Sequence, residues 1–147
     1  MKALVIFDSN FGNTKKIAEA ISDELGEDSK LSPVSDIDIK EIREINLLIA
    51  GSPINAWRPS KKMNEFLDSL TVNQLAGIKA ASFDTRIKTF MSGDAAKKIS
   101  KSLKKAGAEI LTNPQPFLVK GREGPLLDGE IEKAIKWAKS IKRLYKE

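Results

Sequence analysis

This 147-residue sequence predicts an α/β fold in three layers, a parallel sheet covered by helices on both faces. Three observations carry the prediction. Strand-like and helix-like patterns alternate five times along the chain. Ala3–Phe7 and Asn46–Ala50 contain the continuous apolar runs of strands buried on both faces. The first run ends in a short polar turn, Asp8–Asn13, and a helical pattern starts at once behind it.

The elements follow in order. The first helix is expected over Thr14–Leu25, with Ile17, Ala18, Ile21 and Leu25 inward and Gly26 ending it. Pro33–Ile39 alternates weakly and reads as a short second strand, followed by a helical turn over Lys40–Glu44. The third strand, Asn46–Ala50, runs into a turn over Gly51–Pro59. Ser60 is a good N-cap for a helix that buries Met63, Phe66, Leu67 and Leu70. Lys79–Phe83 is the fourth strand, and Asp84, Thr85 and Arg86 follow it in the next turn. Ile87–Met91 is ambiguous and fits a loop. Ser92 or Asp94 caps a helix whose inner face is Ala95, Ala96, Ile99, Leu103 and Ala106, ended by Gly107. The fifth strand comes in two pieces, Glu109–Leu111 and Phe117–Val119, and the prolines between them suit a sheet edge. Gly121–Gly129 is a loop. The last helix, Glu130–Tyr145, buries Ile131, Ala134, Ile135, Ala138, Ile141 and Leu144, and its Trp137 is assigned a structural role.

Composition narrows the chemistry. With 41% hydrophobic and 31% charged residues, the chain reads as one globular domain spanning 1–147. No apolar run approaches the roughly 20 residues of a membrane helix. The first residues enter a strand without a leader pattern, so a cytoplasmic location and no membrane partner are expected. Cys and His are both absent, which removes thiolate nucleophiles, Cys/His metal sites and imidazole acid–base chemistry together. Any redox chemistry must then come from an organic cofactor. Charge is uneven: residues 1–73 hold 9 basic against 12 acidic side chains, and residues 74–147 hold 16 against 8. Most of the later lysines fall on polar helix faces with no nucleic-acid module or interleaved aromatics, so no nucleic-acid partner is expected.

A strand, a tight turn and a helix N-terminus make a place for an anion, because the first N–H groups of the helix are free and its dipole favours negative charge. In open parallel sheets, ligands sit beyond the carboxyl ends of the strands. Asp8–Asn13, Ser52–Pro59 and Asp84–Arg86 are expected to converge there. The turn lacks both G-x-x-x-x-G-K-[ST] and G-x-G-x-x-G, which argues against nucleotide hydrolysis and dinucleotide binding.

These segments resemble a known family. S-N-F-G-N-T (Ser9–Thr14) is similar to the phosphate loop of short-chain flavodoxins, and G-S-P-I-N-A-W (Gly51–Trp57) resembles their second flavin-contacting loop. S-F-D-T-R (Ser82–Arg86) resembles the third loop, and F-L-V-K-G-R-E-G-P-L-L-D-G-E (Phe117–Glu130) is similar to the same subgroup. The resemblance covers essentially the whole chain. It implies a flavodoxin-like five-stranded parallel sheet of order 2-1-3-4-5 and an FMN cofactor. Ser9, Asn10, Gly12, Asn13 and Thr14 would then hold the phosphate, with Phe11, which stands where the family has a hydroxyl residue, shielding the loop. Ser52, Pro53, Ile54, Asn55, Ala56 and Trp57 would flank the flavin ring, with Trp57 stacking on it. Asp84, Thr85 and Arg86 would close the other edge, and Phe83 or Phe90 would cover the face that a Tyr covers in the family. No Gly occupies positions 54–57, so Asn55 or Ala56 takes its place. The sequence pI near 9.4 departs from the acidic family pattern.

The function so implied is electron transfer. A monomeric carrier would shuttle one or two electrons between a reductase and an acceptor protein, with no catalytic side chain. An acidic partner is compatible with the basic pI. An FMN-dependent NAD(P)H:quinone or flavin reductase, and a flavodoxin-like module without FMN, are the alternatives.

Overall fold

The computed structural model describes residues 1–55, 58–88 and 94–147. Its strands are β1 (Ala3–Phe7), β2 (Ser29–Pro33), β3 (Leu47–Asn55), β4 (Arg58–Pro59), β5 (Lys79–Ile87), β6 (Glu109–Ile110) and β7 (Gln115–Val119). Its helices are α1 (Asn13–Leu25), α2 (Ile39–Arg43), α3 (Lys61–Ser69), α4 (Ala95–Lys105) and α5 (Glu130–Lys146), with a 3₁₀ turn at Val34–Asp36.

The strands β2, β1, β3 and β5 lie side by side in that order and pair in parallel. At the far edge, β6 pairs with Lys79–Ala80 and β7 with Phe83–Ile87, both parallel to β5. By position this is the order 2-1-3-4-5, with β5 fourth and β6 and β7 sharing the fifth place. β4 is a short antiparallel addition to the end of β3.

Alternation along the buried strands sends side chains to two cores. Val5, Ile49, Ala81 and Phe83 face α1 and α5, where Ile17, Ile21, Ala134, Trp137 and Ile141 meet them. Leu4, Ile6, Leu48 and Ala80 face the other way, against Ile42 of α2, Met63 and Phe66 of α3 and Ile99 and Leu103 of α4. The caps follow the sequence: Ser60 Oγ accepts the N–H of Met63, Asp94 accepts that of Lys97, and Gly26 takes φ 101° behind α1. Ser92, the other capping candidate, lies outside the described residues, as does most of the Ile87–Met91 stretch.

Three elements depart from expectation: the first is the turn expected over Gly51–Pro59, where β3 instead continues to Asn55 and Arg58–Pro59 pairs back on it as β4. The second strand is Ser29–Pro33, and the weakly alternating stretch after it folds as the 3₁₀ turn and the start of α2. β2 carries little apolar surface of its own. Its pairing with β1 and the 2.8 Å bond between the hydroxyls of Ser22 and Ser29 hold it in place. β5 does not stop at Phe83 but continues to Ile87, carrying Asp84, Thr85 and Arg86 as strand residues.

Trp137 is structural, as expected. It forms a triangle of edge-to-face contacts with Phe83 and Phe117, ring centroids 5.9–6.1 Å apart. The Phe83 ring lies where a side chain at Gly51 would be, and a Cβ on Gly51 would fall inside it. Phe83 is fully buried, so the ring has nowhere to move. Gly51→Ala should therefore cost at least about 2 kcal/mol by overpacking. The additional change Phe83→Leu should recover part of that loss, and urea unfolding of the single and double variants measures both.

Candidate functional site

The parallel register brings the expected turns to one end of the sheet. Phe7 of β1 is level with Gly51 of β3, and Pro53 of β3 is level with Thr85 of β5. The N–H of Asp8 donates to the carbonyl of Gly51 at 3.1 Å, which joins the first turn to the second.

The first turn folds around Ser9. Its N–H donates to Asp8 Oδ1 at 3.0 Å, and its Oγ accepts the N–H of Gly12 at 3.0 Å and that of Lys15 at 3.4 Å. Gly12 stands at the helix N-cap with φ 89°, a left-handed conformation that glycine adopts without strain. Gly12 has no side chain to cap α1, and Ser9 Oγ reaches into the first turn at the Lys15 N–H; that turn holds no acidic residue, and Lys15 and Lys16 are exposed there. Negative charge placed at this terminus meets the positive end of the dipole and no competing carboxylate in the first helical turn.

Beneath the turn, Thr14 Oγ1 and Thr85 Oγ1 are hydrogen-bonded at 2.8 Å in a buried position. One hydroxyl donates to the other, so the second keeps its proton for a ligand oxygen. Asn13 is held from the opposite side: its Nδ2 donates to the carbonyl of Glu123 at 3.2 Å. Gly124 packs so closely that a Cβ there would come 2.6 Å from Asn13 Oδ1. The loop after β7 thus braces the turn, a role that no local pattern in Gly121–Gly129 signals. Asn10 and Phe11 are on the rim, Phe11 46% exposed.

In the second segment, Ser52 is fully buried and engaged internally. Its Oγ donates to the carbonyl of Pro53 and accepts the N–H of Ser60, both at 2.8 Å. It shapes the segment rather than presenting a free hydroxyl. Pro53 and Ile54 are half-buried and Asn55 is exposed. Ala56 and Trp57 lie outside the described residues, as does Phe90.

The third segment corrects expectation most. Phe83 is buried in the α1/α5 core and covers no ligand face. Asp84 and Arg86 point to the opposite side of β5 from Thr85 and are tied to each other and to α4. Arg86 Nε and Nη2 donate to the two Asp84 oxygens at 2.9 and 2.6 Å, and Nη2 also reaches Asp94 at 3.1 Å. Asp84 Oδ2 accepts the N–H of Ala96, in the first turn of α4. Thr85 is the member of the trio that meets the first turn. Burial pushes the Asp84 carboxyl above its ordinary value, although the bonds from Arg86 and Ala96 pull it back, and the nearby Asp94 pushes it further up. The bonds to Asp84 hold the Arg86 guanidinium firmly charged.

This geometry agrees with the comparisons. The family model described as Flavodoxin matches residues 5–137. The chain belongs to the flavodoxin family. An uncharacterized protein of Methanocaldococcus jannaschii is 35% identical over 116 residues, covering 76% of this chain and 71% of that protein. A flavodoxin of Aquifex aeolicus is 34% identical over 73 residues, 47% of this chain and 40% of the other. Among solved structures, a flavodoxin from the domain Archaea superposes with a TM-score of 0.82 at 22% identity, covering 100% of both chains. The flavodoxin family and fold are in general those of FMN-binding electron-transfer proteins. No helix among the described residues is long and apolar enough to cross a membrane.

Asp84 sets a pH test. A carboxyl whose pKa is raised in the folded state binds its proton more tightly there than in the unfolded chain. Its contribution to stability is greatest below the ordinary Asp value of about 4 and falls as pH rises through the raised folded value. Urea unfolding should show wild-type stability, relative to Asp84→Asn, declining across that window.

Proposed function

We propose that this protein binds FMN and carries electrons between a reductase and an acceptor protein. The observation that supports the reading is the N-terminus of α1 behind Gly12, free of acidic residues in its first turn and lined by the Thr14–Thr85 hydroxyl pair at the carboxyl ends of β1, β3 and β5. The donor set suits a phosphate monoester: backbone N–H groups, hydroxyls and an amide, with Lys15 and Lys16 beside them. Ser9, Asn10, Gly12, Asn13 and Thr14, joined by Thr85, would hold the phosphate, and Phe11 on the rim would shield it from water. Pro53, Ile54 and Asn55 would border the ring. Bound FMN supplies one- and two-electron redox chemistry that no side chain of this chain has. The protein's part is to bind, to orient and to limit water. Without Cys or His it brings no thiol or imidazole to that chemistry.

Purified protein should show the absorption bands of oxidised flavin, and the stripped protein should quench FMN fluorescence stoichiometrically. Thr14→Val and Thr85→Val should each weaken FMN about tenfold, the worth of one lost hydrogen bond to a charged ligand. Mixing with NADPH should leave the flavin oxidised until a separate reductase is added. Colourless protein that fails to quench FMN sinks the cofactor reading, and rapid bleaching by NADPH alone replaces the carrier with a reductase.

A further inference from the structure

The outer face of α4 is basic. The helix reads A-A-K-K-I-S-K-S-L-K-K and holds no acidic residue. Ala95, Ala96, Ile99 and Leu103 are buried, and Lys97, Lys98, Lys101, Lys104 and Lys105 are all exposed. At 100° per residue the lysines occupy an arc of about 120° centred opposite the buried side. Among the described residues, Lys97, Lys101, Lys104 and Lys105 enter no ion pair. α4 also packs on β4 and α3, which bring exposed Arg58, Lys61 and Lys62, with Glu65 and Asp68 further along α3.

The protein bears this face at a cost. Lys97–Lys101 and Lys101–Lys105 are like charges one helical turn apart, each pair unfavourable by roughly 0.2–0.5 kcal/mol. Lys97 and Lys98 also oppose the dipole near the N-terminal end of α4. Position gives them a use. Asp94, the cap of α4, is bonded to Arg86, one residue along β5 from the Thr85 that meets the phosphate turn. The basic face therefore starts at the same end of the sheet as the candidate site, across β5 from Thr85.

We infer that the α4 face docks an acidic protein surface, presenting the candidate site to it. Naming that partner a redox protein rests on the electron-carrier reading; the docking itself does not. Lysine ammonium groups suit carboxylates as point charges. The α4 helix itself offers no Arg, Asn or Gln for base edges and no aromatic ring for base stacking, which favours protein over nucleic acid.

Cytochrome c and its succinylated form make matched probes, one basic and one acidic, with the same haem. At about 10 mM ionic strength the reduced FMN-loaded protein should reduce the succinylated form at least about tenfold faster, with parity near 0.5 M, where charges are screened. Lys97→Glu with Lys101→Glu should abolish the preference while leaving FMN affinity unchanged. Both changes relieve repulsion within α4, so the variant should fold. NMR titration of the purified chain with succinylated cytochrome c, flavin-loaded or not, should shift amides on α4. That arm reads docking even if the flavin reading fails. Faster reduction of native cytochrome c, a preference that survives the double substitution, or shifts that miss α4 would each overturn the inference. So would a 20-base-pair DNA duplex that binds α4 more tightly than the acidic protein.

Discussion

The ring of Phe83 rests on the bare Cα of Gly51, and the molecule is arranged around that contact. It fixes the two central strands, β3 and β5, against each other at the level where their apolar parts end. Phe117 and Trp137 meet the same ring edge-on, which draws in β7 and α5. α5 then closes over α1 through a shared core that includes Ile17, Ile21, Ala138 and Ile141. A close-packed interior transmits position because it has little free volume. The polar residues just beyond Gly51 and Phe83 are therefore placed by packing behind them.

Polar groups beyond that contact are divided between two tasks. On one side of β5, Asp84 and Arg86 satisfy each other and the start of α4. A carboxylate buried this deeply costs several kcal/mol unless it is paired and hydrogen-bonded, and here it is both. On the other side, Thr85 and Thr14 form a hydroxyl pair with a proton to spare. The candidate anion-binding turn is held by neighbours on several sides: Gly51 through Asp8, Thr85 through Thr14, and Glu123 through Asn13. Preorganisation of this kind lowers the ordering cost that a ligand would otherwise meet.

The layers, the strand order and the turn between β1 and α1 were legible because each has a local signature: an apolar run, a helical period, a glycine before a helix. The extent of β5 was not. Asp84, Thr85 and Arg86 look like loop residues in isolation, and their partners Ala96 and Thr14 are 12 and 71 residues away. β2 escaped for the opposite reason. Ser29–Pro33 has almost no pattern of its own and is a strand because β1 needs a neighbour. The shift of Phe83 from ligand face to core follows from register, since residues of β5 alternate between faces and Ala81 and Phe83 share one. The brace from Glu123 and Gly124 onto Asn13 is a contact over 110 residues and leaves no trace in either segment.

The divided edge next to β5 matters for the protein's life at high concentration. An open strand edge invites another chain to extend the sheet. Here β7 is covered by its own downstream chain. Leu118 donates its N–H to the Glu130 carboxylate and accepts from Leu127, Lys120 donates to Pro125, and Val119 bridges Leu126. Pro114 and Pro116 have no N–H to offer. At the opposite edge β2 is short, carries an exposed Lys30 and ends in Pro33. The β7 and β2 borders of the sheet thus carry features that discourage strand addition.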